Sequence, residues 1–335
     1  MARLLALAAP FLMLVSPAPG YAAECAMSAA EKNWVEGSLA AWNYMADRRL
    51  KLAAVQPPTI IVFNDKCRFE AKAIRQPAWA GEPHSGSIRL PDGNQAPAQV
   101  TSFASHDDKS GVTFFVMALP PIWAAAKIPI SNDLKGLTGV FLHELSHVRQ
   151  VEPLKPVFEA AEAIHKMDDD FSDDSLQEHF QTDPAYVAVI EKERDLLYRA
   201  AAEPDAAAAK KLAAQALALM EARQKRWFVG EDAYWKNFDD LFLTMEGFGQ
   251  WVAYAWLADA QGGNLEPAAA IDKMRGGKRW WSQDEGLALF VVIDRFVLDW
   301  PSRAFARQPA LGIDLLRLAV REDDGKTTSA VASQR

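Results

Sequence analysis

Residues 140–150 read Val-Phe-Leu-His-Glu-Leu-Ser-His-Val-Arg-Gln, and the rest of the chain is organised around this stretch. His143 and His147 are four residues apart, so on a helix their side chains lie on one face, one above the other. The apolar neighbours Phe141 and Leu142 predict that this helix is buried. Buried imidazoles need partners, and we expect the two rings to share one.

The glutamate beside the first histidine makes the pair a candidate zinc site. Zinc binds imidazole nitrogens, and the spacing of His143, Glu144 and His147 lets both rings reach one ion while Glu144 addresses a water beside it. The alternative is two hydrogen-bonded core histidines next to an unrelated glutamate. The chain has only 6 histidines among 335 residues, which makes a chance His-Glu-x-x-His pattern uncommon. The pattern therefore favours a zinc site.

Composition excludes one class of partner and predicts a packed core. The net charge is −8 and no basic run occurs, so we do not expect a nucleic-acid partner, because phosphate binding depends on clustered Lys and Arg. The 11 tryptophans and 17 phenylalanines indicate a globular protein rather than a disordered one. Only residues 321–335, small and polar, are predicted to form a disordered tail.

Residues 1–23 have the features of a secretory signal peptide. Arg3 precedes a short apolar core, which ends at Ser-Pro-Ala-Pro-Gly before Tyr21-Ala-Ala. The protein is therefore expected to be secreted or periplasmic, with no membrane span after cleavage. In an exported protein Cys25 and Cys67 are expected to form a disulfide; the alternative is two free buried thiols.

The pattern of elements predicts an α+β fold that is mostly α. Residues 24–128 are expected to form an N-terminal helix, capped by Ser28 with Glu31, and a β-rich subdomain that includes a strand at Thr59–Phe63. Residues 129–320 are expected to be a helical domain.

In that domain the motif helix is predicted to start at a cap on Ser131 or Asn132 and to end before Pro153. The acidic pair Asp173-Asp174 is interpreted as part of a solvated loop.

Two imidazoles alone do not hold zinc, and two glutamates are candidates for the third ligand. Glu193 lies at the centre of the apolar face of its predicted helix, where a carboxylate needs a metal, a cation or a hydrogen-bond network. Glu246 lies in an apolar run over residues 241–258, next to Gly247 and Gly249, which leave room for another helix or group to approach. The residues themselves leave both candidates open.

His143-Glu-Leu-Ser-His147, followed by a helix with Glu246-Gly-Phe-Gly-Gln-Trp, resembles the gluzincin metallopeptidases. In their aminopeptidase branch the third ligand is the glutamate of a very similar Glu-Gly-Phe-Ala stretch. The resemblance implies a zincin-like catalytic domain in which His143, His147 and Glu246 bind one Zn²⁺ and Glu144 is the general base. Glu193 would then orient a ligand histidine. The helices predicted over residues 183–227 would be an insertion between the two motif helices.

The resulting expectation is a zinc-dependent metallopeptidase that hydrolyses peptide bonds in a peptide or protein substrate. The β-rich region around Val112–Met117 is expected to supply an edge strand to which an extended peptide adds. One alternative is a structural or vestigial zinc site in an exported binding protein. Another is a zinc amidase or esterase that acts on cell-envelope material.

Overall fold

The computed structural model describes residues 25–128, 130, 133–166 and 171–321. The structure is 60% helical with 11% strand, a small N-terminal sheet followed by a helical region, which confirms the predicted α+β, mostly α class. The predicted signal peptide, all but the first residue of the predicted tail, and the predicted caps Ser131 and Asn132 lie outside the described residues. Within those described ranges, no helix combines the length and the hydropathy needed to cross a bilayer.

One helix precedes the strands, and a series of helices follows them. The strands are β1 (Thr59–Phe63), β2 (Cys67–Ala71), β3 (Ala80–Pro83), β4 (Ser87–Arg89), β5 (Gln95–Pro97), β6 (Ser102–Asp107) and β7 (Val112–Ala118). The helices are α1 (Ala29–Tyr44), α2 (Pro120–Ala126), α3 (Leu134–Glu162), α4 (Ser175–Phe180), α5 (Pro184–Ala202), α6 (Ala206–Trp227), α7 (Trp235–Ala258), α8 (Pro267–Met274), α9 (Trp281–Phe296), α10 (Trp300–Ala304) and α11 (Gly312–Val320).

Five strands form a sheet in the order β3-β2-β1-β7-β6, in which β1 and β7 are parallel and the other pairs are antiparallel. The strand around Val112–Met117 is therefore not the edge strand that was expected, because β7 lies between β1 and β6. Its nearly continuous apolar sequence is typical of a strand covered on both faces. The two edge strands of this sheet are β3 and β6, and all six residues of β6 stay partly exposed.

The N-terminal helix is held at its start by two predicted features. Ser28 and Glu31 form the capping box, in which each side chain accepts a hydrogen bond from the other residue's backbone N–H. Cys25, just ahead of the helix, forms the expected disulfide with Cys67 at the start of β2. The backbone of Cys25 packs against Gly81, where there is no room for a side chain: a Cβ at Gly81 would lie 2.4 Å from the carbonyl oxygen of Cys25.

The motif helix, α3, is longer than predicted. Asp133 caps it, and it continues through Pro153 and Pro156, so the predicted end before Pro153 is wrong. A proline inside a helix removes a backbone hydrogen bond and costs about 3 kcal/mol. Packing beyond the prolines offsets this cost, since Leu154 and Ala161 are buried in an apolar cluster with α7.

Aromatic packing holds α3 in position, and a close helix–helix contact holds α7. The ring of Phe141 on α3 packs edge-on against Phe115 of β7 and Trp34 of α1, with centroid distances of 4.7 and 5.7 Å. Helix α7 in turn packs closely on α9, because a Cβ at Gly247 would lie 2.6 Å from the carbonyl oxygen of Gly286. The close helix approach expected at Gly247 is thus present, and it fixes the helix that carries Glu246.

Candidate metal centre

Helix α3 places the two motif histidines as their spacing predicts. The Nε2 atoms of His143 and His147 lie 3.1 Å apart, and the ring planes are nearly perpendicular at 86°. His143 is buried, with 4% of its surface exposed, and His147 is partly buried. Together with Glu144 they form a group of potential ligand atoms within 4.8 Å of one another, which can hold a metal ion.

Glu246 brings a second carboxylate to the same two rings from α7. Its Oε2 lies 3.2 Å from His143 Nε2, and its Oε1 lies 3.4 Å from His147 Nε2. The structure therefore brings the side chains of His143, His147 and Glu246 together from two helices. Glu246 is itself buried, with 6% of its surface exposed.

Glu246 is held in its ionised form. Burial opposes ionisation, but the imidazoles of His147 and His143 and a hydrogen bond from Gln283 outweigh it and lower the Glu246 pKa to about 2. A carboxylate must be deprotonated to bind a metal ion. Glu246 is therefore ready to act as a ligand.

The pKa of Glu144 is shifted in the opposite direction to that of Glu246. Burial, with a smaller contribution from the Glu246 charge, raises the Glu144 pKa to about 7 although His147 and Ser102 lower it. The Ser102 hydroxyl, at the start of β6, donates a hydrogen bond of 2.9 Å to Glu144 Oε1. A carboxyl group with a near-neutral pKa suits proton transfer better than permanent metal ligation. Sequence reasoning missed Ser102, which carries no local signal because it lies in a different element.

Gln150 orients the second histidine. Its side-chain nitrogen donates to the carbonyls of Thr244 and Met245, so its oxygen faces His147 Nδ1, 2.7 Å away, as an acceptor. Nδ1 of His147 therefore donates to Gln150, and Nε2 is the ring nitrogen on the side of Glu246. Hydrogen bonding of the second ring nitrogen is the usual way in which proteins orient a metal-binding histidine. The i,i+3 spacing of His147 and Gln150 was the available sequence signal.

Gly249 lets the first histidine lie against α7. A Cβ at this position would stand 2.8 Å from both Nδ1 and Cε1 of His143. The room expected at Gly249 is thus filled by the imidazole of His143, one of the two histidines of the motif.

Glu193, the alternative third ligand, lies in a different buried cluster. Its carboxylate accepts a hydrogen bond of 2.9 Å from Nε of Arg223, and both side chains are fully buried. Arg223 also donates to Asp239 and Tyr186. The expected role of Glu193 in orienting a ligand histidine is therefore wrong. A buried cation satisfies this carboxylate, which is one of the three possibilities that its apolar setting allowed.

The Asp173-Asp174 pair is not the solvated loop that was expected. Both residues are partly buried, and Ser282 Oγ lies 3.4 Å from Asp173 Oδ2. Burial and the charges of Glu246 and Asp174 raise the Asp173 pKa to about 8. Asp173 therefore lies close enough to the candidate centre for the charge of Glu246 to raise its pKa. The rest of the acidic run, Asp168 to Asp170, lies outside the described residues.

No protein-family model, no curated protein and no solved structure matches this chain.

Proposed function

We propose that the protein is a zinc-dependent metallopeptidase of the gluzincin type, with His143, His147 and Glu246 as the zinc ligands and Glu144 as the general base. The observation that carries this proposal is that two carboxyl groups with very different pKa values lie beside one pair of imidazoles. Glu246 is ionised and lies 3.2 and 3.4 Å from the two Nε2 atoms. Glu144 accepts a hydrogen bond from Ser102 and has a pKa of about 7.

The donor set fits zinc. Ligand atoms at about 2.0–2.1 Å from a tetrahedral zinc ion stand about 3.3 Å from one another. Here the two Nε2 atoms are 3.1 Å apart, and each faces a different oxygen of Glu246: Oε2 lies 3.2 Å from His143 Nε2, and Oε1 lies 3.4 Å from His147 Nε2. Two imidazole nitrogens and one carboxylate oxygen are also the ligand set of a catalytic site that keeps a fourth position for substrate or water.

The chain's own residues account for the remaining steps. Zinc, when bound, acts as a Lewis acid and lowers the pKa of water toward neutrality. Glu144 takes a proton from the attacking water and delivers it to the leaving amine nitrogen as the C–N bond breaks. Ser102 holds Glu144 in place for both transfers. The exposed edge of β6 offers backbone groups with which an extended peptide pairs.

Export forms part of the proposal. The Cys25–Cys67 disulfide supports it, because disulfides persist in secreted and periplasmic proteins and are rare in the cytosol. Fractionation of cells that express the whole chain, with N-terminal sequencing of the exported product, tests it. Cleavage near residue 23 is expected; an intact chain found only in the cytosol would contradict it.

Metal analysis combined with peptide-library cleavage tests the activity. We expect one zinc ion per chain and cleavage of peptides by the mature protein. Glu144→Gln should keep zinc and lose at least about 100-fold in rate, since general base catalysis contributes about 10²–10⁴-fold. Glu152→Gln, an exposed glutamate on the same helix, is the matched control and should cleave normally.

Bound zinc without cleavage of any peptide would instead favour a structural site in a binding protein. Hydrolysis of cell-envelope amides or esters, but not of peptides, would favour the amidase or esterase alternative.

A further inference from the structure

A cavity of about 320 Å³ opens directly beside the candidate metal centre. His147 forms part of its wall, and the cavity extends between β6 and the half of α3 that follows the motif. This half of α3 is the part that continues through the two prolines. The cavity is therefore continuous with the place where a substrate would react, and its size suits one amino-acid side chain.

The inner walls of this cavity are apolar. Val151 and Phe158 project from α3, and Met245 projects from α7 next to Glu246. All three side chains are only partly buried. Covering them with an apolar side chain removes apolar surface from water on both partners, which favours binding.

Charged side chains form another part of the lining. Lys155 of α3 reaches Asp108, in the turn after β6, with an Nζ–Oδ1 distance of 3.0 Å. Glu159 and Glu162 of α3 add two further carboxylates, so this part of the lining holds three carboxylates and one ammonium group.

The position of the cavity relates it to the scissile bond. Ser102 contacts Glu144, and Ala104, Ser105 and His106 further along β6 line the cavity. Each residue of an extended strand spans about 3.3 Å. A peptide paired with β6 therefore covers the distance from the general base to the cavity with about one to three residues.

We propose that this cavity is a specificity subsite that takes a large apolar side chain of the peptide, one to three residues from the scissile bond. The inference rests on the proposed peptidase function and adds a substrate class to it: peptides with leucine, methionine or phenylalanine at that position. Val151 is the specificity-determining residue in its lining.

Cleavage profiling of a peptide library by mass spectrometry tests the subsite in the zinc-loaded mature protein. The wild-type profile should show one position enriched in large apolar residues. Val151→Phe fills the cavity and should lower kcat/KM for such peptides by about 10-fold or more, while peptides with alanine there change little. Ala160→Phe, at an exposed position of the same helix that does not line the cavity, is the matched control and should keep the wild-type profile.

A wild-type profile without apolar preference, or a preference that Val151→Phe leaves unchanged, would overturn the subsite but not the peptidase function. Absence of cleavage by zinc-loaded wild-type protein would overturn the function and the subsite with it.

Discussion

Glu144 and Glu246 present two carboxyl groups to the same pair of imidazoles, and their pKa values differ widely. The pKa of Glu144 is raised to about 7, mainly by burial, and the pKa of Glu246 is lowered to about 2 because the imidazoles outweigh burial. The difference comes from their neighbours: Glu246 lies against both Nε2 atoms, whereas Glu144 accepts from one serine hydroxyl. One site therefore contains a permanent anion and a carboxyl group suited to exchange a proton.

Replacement of Glu246 tests the third ligand. Glu246→Gln removes the anionic donor, and zinc affinity should fall by more than about 100-fold, since even outer-shell changes cost about 10–100-fold. Glu193→Gln is the contrasting variant: it should keep zinc but unfold at a lower temperature, because Arg223 loses a buried partner. Chelator competition and thermal unfolding measure the two effects. Full zinc retention in Glu246→Gln would contradict the assignment.

Gly249 is expected to control the position of His143. In Gly249→Ala the new methyl group would stand 2.8 Å from the imidazole, so the ring must move and zinc affinity should fall by about 10–100-fold. Gly37→Ala is the matched control in helix α1, because nothing lies within 4 Å of its new Cβ. That variant should be more stable by about 0.5–1 kcal/mol with unchanged zinc binding. Equal affinity in both variants would argue against a steric role for Gly249.

Ser102 is expected to act through Glu144 as a positioning residue. Ser102→Ala removes a hydrogen bond to a carboxylate, which is worth about 1.5–3 kcal/mol, and kcat/KM should fall by about 10-fold or more. Zinc content should not change. Ser102→Thr keeps the hydroxyl and should restore most of the activity. If alanine and threonine behave alike in steady-state kinetics, the hydroxyl has no such role.

The carboxyl group of Asp240, which is not part of the candidate metal centre, should make the stability of the fold depend on pH. Its carboxylate accepts from the Ile313 N–H at 3.0 Å, and burial raises its pKa to about 7. An unfolded aspartate has a pKa of about 3.9, so between about pH 4 and pH 7 the unfolded chain loses a proton that the folded chain retains. The Asp240 contribution to the free energy of unfolding therefore falls as the pH rises through this window.

Asp240→Asn keeps an oxygen acceptor and removes the titration. Urea unfolding at pH 5 and pH 8 should show the variant gaining stability relative to wild type at the higher pH. A difference between the two proteins that is the same at both pH values would count against a raised pKa.

Local chemistry explains which expectations held. The Ser28–Glu31 capping box and the strand Thr59–Phe63 depend on neighbouring residues along the chain, and both were correct. The end of the motif helix was misjudged at Pro153, because the packing that offsets a proline involves residues from distant helices. The edge strand was misplaced for a similar reason: strand order depends on pairing partners, and β7 pairs on both sides.

The sequence by itself determined that His143 and His147 share one face of a helix with Glu144 beside them, because the helical period sets this locally. Only the tertiary structure showed that Glu246, and not Glu193, lies beside the imidazoles. Each is a lone carboxylate on an apolar helix face. A pattern of apolar residues predicts that the carboxylate is buried, but not which side chain or ion it contacts. The packing of α7 on α3 brings Glu246 to the imidazoles, and the packing of α5 and α6 brings Glu193 to Arg223.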